Sequence, residues 1–385
     1  MNLTWLAGGI FLITYALIVT ERVHRTVSAL LGGFAMILLG VVHQEDAFHA
    51  IDWNVIFLLA GMMAIANVLR ETGLFQWIAV QAVRLGRGDP FRILVILSVV
   101  TAISSGLLDN VTIVVLVAPV TLFVAASLKV SPMPFLIAEI LASNIGGAAT
   151  LIGDPPNILI GSAADIDFLT FALNMSPVSL LILAAFIGLS RFLFKKDLVS
   201  KRGHSLDVDA LDTSELITDH RLLLKALIVM AGVVLGFLVH GVLGLEPATI
   251  AMAGATLLML WARSDPHHVL RDIEWTTLFF FIGLFITVEA VVEVGLVEAV
   301  AQEAIALTRG NLALTAMLLI WLSAIASGVV DNIPYTATMI PLVKSLGQSM
   351  PVGPLWWSLA LGADLGGNAT LVGASANIVV VSLAE

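Results

Sequence analysis

"LASNIGGAATLIGDPPNILI", residues 141–160, is long enough to cross a bilayer but poorly composed for a helix. Three glycines, two adjacent prolines, two asparagines and an aspartate interrupt strongly apolar neighbours. Residues 361–380, "LGADLGGNATLVGASANIVV", repeat the irregularity. Backbone leaves the helix at membrane depth only where protein or a water-filled cavity satisfies its polar groups. The stretch therefore reads as two half-helices with an unwound middle whose ends and free carbonyls face a site. Gly146, Gly147 and Gly153 are read as permitting the unwinding, and Gly366, Gly367 and Gly373 as doing the same in the second copy. Pro155 and Pro156 are expected to open the second half-helix, whose first turn tolerates missing N–H groups.

Composition agrees with a membrane setting. The 385-residue chain is 59% hydrophobic and only 12% charged, against about 25% charged in soluble domains. Mean hydropathy is +1.03. These values define an all-α polytopic membrane protein. The first apolar segment, Leu3 to Val19, has neither a basic start nor a small-residue cleavage site and reads as a retained helix. The absence of cysteine excludes disulfides and thiolate-bound metals. The eight histidines show no metal-ligand spacing, so no resident metal or cofactor is expected.

Apolar segments fall at 3–19, 26–42, 53–70, 91–126, 134–164, 176–194, 222–242, 247–262, 275–292, 312–342 and 355–383. A spanning helix needs about 20 residues. Segments 91–126 and 312–342 are too long for one crossing and short for two, so each reads as a re-entrant helical hairpin. With Met1 outside, 16 of the 18 basic residues then fall on the inner side, and only Arg309 and Lys344 fall outside. The polar stretch 195–221 becomes a cytoplasmic linker between two halves, 1–194 and 222–385.

The halves contain repeats. "DWNVIFLLAG" (52–61) aligns with "EWTTLFFFIG" (274–283), and "SSGLLDNVTIVVLVAPV" (104–120) with "ASGVVDNIPYTATMIPL" (326–342). "SNIGGAATLIGDPPNI" (143–158) aligns with "ADLGGNATLVGASANI" (363–378). Repeat one is expected over 52–164, with its hairpin at 91–126 and its broken helix at 134–164. Repeat two is expected over 274–383, with its hairpin at 312–342 and its broken helix at 355–383. In this topology the repeats enter from opposite sides. They are inverted, as in several secondary-transporter folds.

Each hairpin tip carries an Asp-Asn pair, Asp109-Asn110 and Asp331-Asn332. A charge at bilayer depth costs about 2.5–3.5 kcal/mol on insertion scales. Asp109, Asp154, Asp331 and Asp364 therefore point to a polar cavity that binds substrate or ion, while Asn110 and Asn332 suit helix caps. Asn144, Thr150, Asn157, Asn368, Thr370 and Asn377 recur in the broken segments and are expected to line the same site. Proton coupling is assigned to Asp109 and Asp331, with Glu139 as a further carrier one helical turn before Ser143, and Glu289 as a similar candidate. No basic residue is expected near these carboxylates, which disfavours an anionic cargo.

The paired motifs "LLDNVT", "SNIGGAATLIGDPPN", "VVDNIP" and "GADLGGNATLVGASAN" resemble the ion transporter superfamily, closest to its ArsB/NhaD branch of arsenite permeases, Na+/H+ antiporters and P-protein-like chains. The resemblance covers nearly the whole chain. It implies an elevator-type secondary transporter, with dimers known among the related divalent anion/sodium symporters. Those symporters carry Ser-Asn-Thr at the hairpin tips, where this chain has Leu-Asp-Asn and Val-Asp-Asn. Members usually have one more helix after the second broken segment, and this sequence stops at Glu385. The resemblance implies proton-coupled efflux of arsenite or antimonite, with Na+/H+ antiport as the alternative and Na+-coupled symport of an organic substrate as a third reading.

Other classes fit less well. An intramembrane aspartyl protease would need Tyr-Asp and Gly-x-Gly-Asp, which the chain lacks. A channel does not need two inverted broken sites. No Walker motif is present, so ATP-driven transport would require a separate ATPase subunit. The expected partners are a small inorganic substrate, protons and the lipid of the inner membrane, with no nucleic acid.

Overall fold

A computed structural model describes residues 3–195, 198 and 216–384, and within them the chain is helical with no strand. The linker expected at 195–221 therefore lies largely outside the described residues.

The first nine helices are α1 (Leu3–Thr20), α2 (Arg25–Leu38), α3 (Gln44–His49), α4 (Trp53–Glu71), α5 (Leu74–Gly86), α6 (Pro90–Ser105), α7 (Asn110–Leu128), α8 (Met133–Gly147) and α9 (Pro155–Ala164). After α10 (Phe168–Leu193), nine more follow: α11 (His220–Leu243), α12 (Pro247–Ala262), α13 (Pro266–Arg271), α14 (Trp275–Glu293), α15 (Leu296–Thr308), α16 (Leu312–Val329), α17 (Asn332–Leu346), α18 (Gly353–Gly366) and α19 (Ser375–Ala384). The second nine repeat the first nine in order. From α2 to α7 each helix starts 222 residues before its counterpart, as 25 and 247 or 110 and 332; for α8 and α9 the offset is 220. Repetition thus begins well before residue 52, and among the described residues α10 is the one helix inserted between the copies.

Among the described residues, seven stretches are long and apolar enough to cross a membrane, including α1, α7, α10, α11, α14 and α16. Both expected hairpins are helix pairs, α6–α7 and α16–α17. Both broken segments are broken, α8–α9 and α18–α19. The short helices α3, α5, α13 and α15 were not expected. Polar residues interrupt α5 ("LFQWIAVQAVRLG") and α15 ("LVEAVAQEAIALT"), so neither forms a span-length apolar run. Their ends carry clear stop signals instead: Gly73 and Gly295 precede them with φ +76°, and Arg87 and Arg309 close them in the left-handed region.

The chain packs as two compact units, and each draws on both halves. Unit 1 comprises Met1–Ala60, Ile158–Ile166 and Glu274–Gly373. Unit 2 comprises Gly61–Asn157, Asp167–Ile273 and Ala374–Glu385. Unit 1 thus takes α1–α3 from the first repeat and α14–α18 from the second; unit 2 takes α5–α8 from the first and α11–α13 and α19 from the second. The same packing device holds both. In unit 1 a Cβ on Gly283 would lie 2.5 Å from the backbone carbon of Ala29, so α14 and α2 touch backbone to backbone. In unit 2 the counterparts are Gly61 and Ala251, 2.7 Å apart by the same measure. A side chain larger than hydrogen at either glycine would force the helices apart.

Candidate functional site

In unit 2 the first hairpin tip packs against the first broken segment. Asp109 caps α7 and accepts from the backbone N–H of Thr112 at 2.9 Å and from the Thr112 hydroxyl. Asn110, the first residue of α7, is buried. Its Nδ2 donates to Asn144 Oδ1 at 3.2 Å and to Asp154 Oδ2 at 2.9 Å. Asn144 Nδ2 in turn donates to Asn377 Oδ1 at 3.1 Å. One carboxylate and three amides, from α7, α8, the α8–α9 break and α19, thus form a continuous buried cluster. The capping expected of the asparagine is done by the aspartate: the carboxylate at the last non-helical position reaches the free N–H groups of the first turn, and the amide turns inward.

The break is held by its own polar groups. Asn157 Nδ2 donates to Gly147 O at 3.2 Å and Thr150 O at 3.1 Å, and the Thr150 hydroxyl donates to Gly106 O of the hairpin tip at 2.5 Å. Ser105 donates to Ser143 O at 2.8 Å, and Ser143 donates to Asn110 O at 3.1 Å. This satisfies backbone carbonyls that the missing helix turn would leave bare.

The glycines act differently from the expectation. None of Gly146, Gly147, Gly153, Gly366, Gly367 and Gly373 has positive φ. They are required for close approach. A Cβ on Gly146 would lie 2.1 Å from Ala102 O on α6, and one on Gly366 would lie 2.5 Å from Ala324 O on α16. Gly153 and Gly373 similarly let the chain fold back on Gly147 and Gly367, with oxygens 2.5 and 2.7 Å from the position a Cβ would take.

In unit 1 the second tip repeats part of this plan. Asp331 caps α17, accepting from Ile333 N–H at 3.0 Å. The Asn332 backbone N–H donates to Gly373 O at 3.2 Å, Ser327 donates to Ala363 O at 2.6 Å, and the Thr370 hydroxyl donates to Gly328 O. Asn332 and Asp364 are buried, and Asn368 is half-buried in the break. The expectation of no nearby basic residue fails here: Arg25 Nη1 donates to Asp331 Oδ2 at 3.1 Å. Arg25 opens α2 and served in the sequence only as a topology marker, because nothing local to residue 25 points to a hairpin some 300 positions away.

The broken segments also differ in where their acid stands. By the 220-residue offset Asn144 corresponds to Asp364, and Asp154 to Ala374. Each broken segment carries one aspartate, Asp364 in the last turn of α18 and Asp154 directly before α9. Glu139 is buried on α8 and accepts from the Thr121 hydroxyl. Glu289 is half-buried on α14.

A helical membrane chain with paired hairpins, paired broken helices and a buried carboxylate–amide cluster is built as a secondary transporter. Comparisons make that concrete: residues 15–362 match CitMHS, the citrate transporter family, and the chain belongs to it. An uncharacterised transporter of Mycobacterium tuberculosis is 46% identical over 388 residues, spanning 98% of this chain and 90% of its own. The P protein of Homo sapiens is 33% identical over 466 residues, spanning 99% of this chain and 56% of its own. The YdaH transporter of Alcanivorax borkumensis, described with an unusual topology, superposes with a TM-score of 0.57 at 14% identity, covering 100% of this chain and 91% of its own. At that identity the likeness shows a shared fold.

Proposed function

We propose that this chain exchanges a small cation for protons across the inner membrane, with Na+ as the cargo. The observation that supports this is the cluster of Asp154, Asn110, Asn144 and Asn377. It offers one carboxylate and three amide groups, the oxygen ligands that hard cations prefer. A charge kept at this depth is costly unless it serves a pathway. Asp109, at the hairpin tip beside the cluster, is the proposed proton carrier, with Glu139 and Glu289 as further acids to be tested; Asp331, paired with Arg25, stands apart from them.

Arsenite or antimonite efflux is the second reading. Arsenous acid is neutral at pH 7, and the side-chain amides with Thr150 supply hydrogen bonds without cysteine. An organic anion such as the family name suggests fits less well on Coulomb grounds, because the one charged group of the cluster is the carboxylate of Asp154. The alternating-access motion is read as elevator-type, Met1 as external and the linker as cytoplasmic. Assembly as a homodimer follows the related symporters.

Proteoliposomes with an imposed pH gradient test the reading. Na+ flux that follows the gradient and disappears in Asp154→Asn supports it; citrate or arsenite flux without Na+ movement overturns it. Growth of a sensitive host on NaCl or on arsenite separates the first two cargoes.

A further inference from the structure

The two hairpin tips are built alike and charged differently. At the second, Arg25 lies 3.1 Å from Asp331 and its guanidinium sits 5.6 Å from the centre of the Phe280 ring. Neighbouring contacts fix it there: Thr26, the next residue, donates to Thr276 O at 2.8 Å, and α2 packs against α14. The void beside the pair, lined by Arg25, Phe280, Asp331, Val372 and others, measures about 10 Å³, room for roughly one water and too little for a hydrated ion. By the 222-residue offset the counterpart of Arg25 is Pro247, which opens α12 as Arg25 opens α2. Among the described residues no ion pair reaches Asp109; its carboxylate is met by Thr112.

We propose that Arg25 is a resident cation: it permanently holds, at Asp331 of the second hairpin, the place that the exchanged proton takes at Asp109 of the first. A repeat protein that began with two equivalent proton sites would thereby couple through one, and the positive charge at Asp331 would never leave. This assignment rests on the cation-exchange reading above. It makes Arg25 a determinant of stoichiometry, setting how many protons move per cycle.

The test compares wild type, Arg25→Gln, Arg25→Lys and the double variant Arg25→Gln/Asp331→Asn. Purified proteins are melted across a NaCl series, with choline chloride as control, and across pH; transport rate is measured against pH. Arg25→Gln is expected to uncover a second proton site, seen as acid-dependent stabilisation beyond that of wild type and a rate dependence steeper by one bound proton. Arg25→Lys and the double variant should return to wild-type steepness. Unchanged steepness in a folded Arg25→Gln overturns the proposal. If Arg25→Gln fails to fold, recovery in the double variant supports charge compensation, and failure of both overturns it, since Arg25 would then act through packing on Phe280. A wild type with no Na+ or pH response instead removes the exchange reading, while rescue of Arg25→Gln by Asp331→Asn still reports on the resident charge.

Discussion

Thr121 donates to Glu139 inside unit 2, and the corresponding residues of the second repeat, Val343 and Leu359, are a buried apolar pair. The fold therefore accommodates either chemistry at this place. Replacing both partners of a buried hydrogen bond by apolar groups of like shape is close to neutral, whereas removing one partner costs about 1–3 kcal/mol. A polar pair retained where an apolar one suffices calls for a role beyond packing.

Glu139→Leu with Thr121→Val, copying the second repeat, should melt within a few degrees of wild type. Glu139→Leu should leave folding intact but shift the pH dependence of transport if Glu139 carries a proton. Thr121→Val alone should be the least stable of the three. Thermal melts and pH–rate profiles check these orders.

Gly146→Ala places a methyl group 2.1 Å from Ala102 O. Overpacking of this kind costs about 1–3 kcal/mol, and more against backbone. Gly188→Ala on α10 meets nothing within 4 Å and should be neutral or stabilising by about 0.5–1 kcal/mol. Melting temperatures of the two should move in opposite directions. Equal effects would mean that the α6–α8 contact is loose.

Asn110→Ala removes the donor shared by Asn144 and Asp154. Stability should fall by about 1–3 kcal/mol from the unsatisfied acceptors, and transport should be lost more completely than stability. Transport assays on folded protein, with melts alongside, decide this.

Asp219 caps α11 and accepts from the N–H groups of Leu222 and Arg221, which hold its carboxyl below the ordinary aspartate range. A depressed folded value means the stabilisation is complete above the unfolded aspartate value and fades as pH falls through the lower folded one. As pH falls below the ordinary aspartate value, about 4, wild type should thus lose stability faster than Asp219→Ala. A melt series from neutral to acidic pH checks the sign.

Orientation is open to labelling, because the chain has no cysteine of its own. Cysteine at the exposed Glu45 should react with an impermeant reagent in intact cells, and cysteine at the exposed Arg263 should react only after lysis. The reverse pattern would invert the proposed topology.

Much of the architecture was legible because it rests on rules that act locally. Pro155 begins a helix where a proline is tolerated, the Asp-Asn pairs mark the hairpin tips although the cap proved to be the aspartate and not the asparagine, and long apolar runs mark spans. The early helices of the repeat were not legible, since α2 and α12 share position but little sequence beyond apolar character. The glycines were found for the wrong reason: a sequence shows that a side chain is missing, not whether φ or a neighbouring backbone requires it. Arg25 and Thr121 were invisible as site residues because their partners, Asp331 and Glu139, are set by packing of distant helices.

The interleaving of the two units bears on how the chain is made. The core of α7 and α8, with Val114, Ala118, Leu136 and Ile140, is closed by Ala376 and Val380 of α19. A ribosome delivers the first four some 240 residues before the last two. During that interval the first hairpin waits in the bilayer with an open apolar flank, and its amide cluster lacks Asn377. Such a nascent state is a target for membrane chaperones and quality-control proteases, so lesions in α19 should deplete the protein from the cell before they alter its transport.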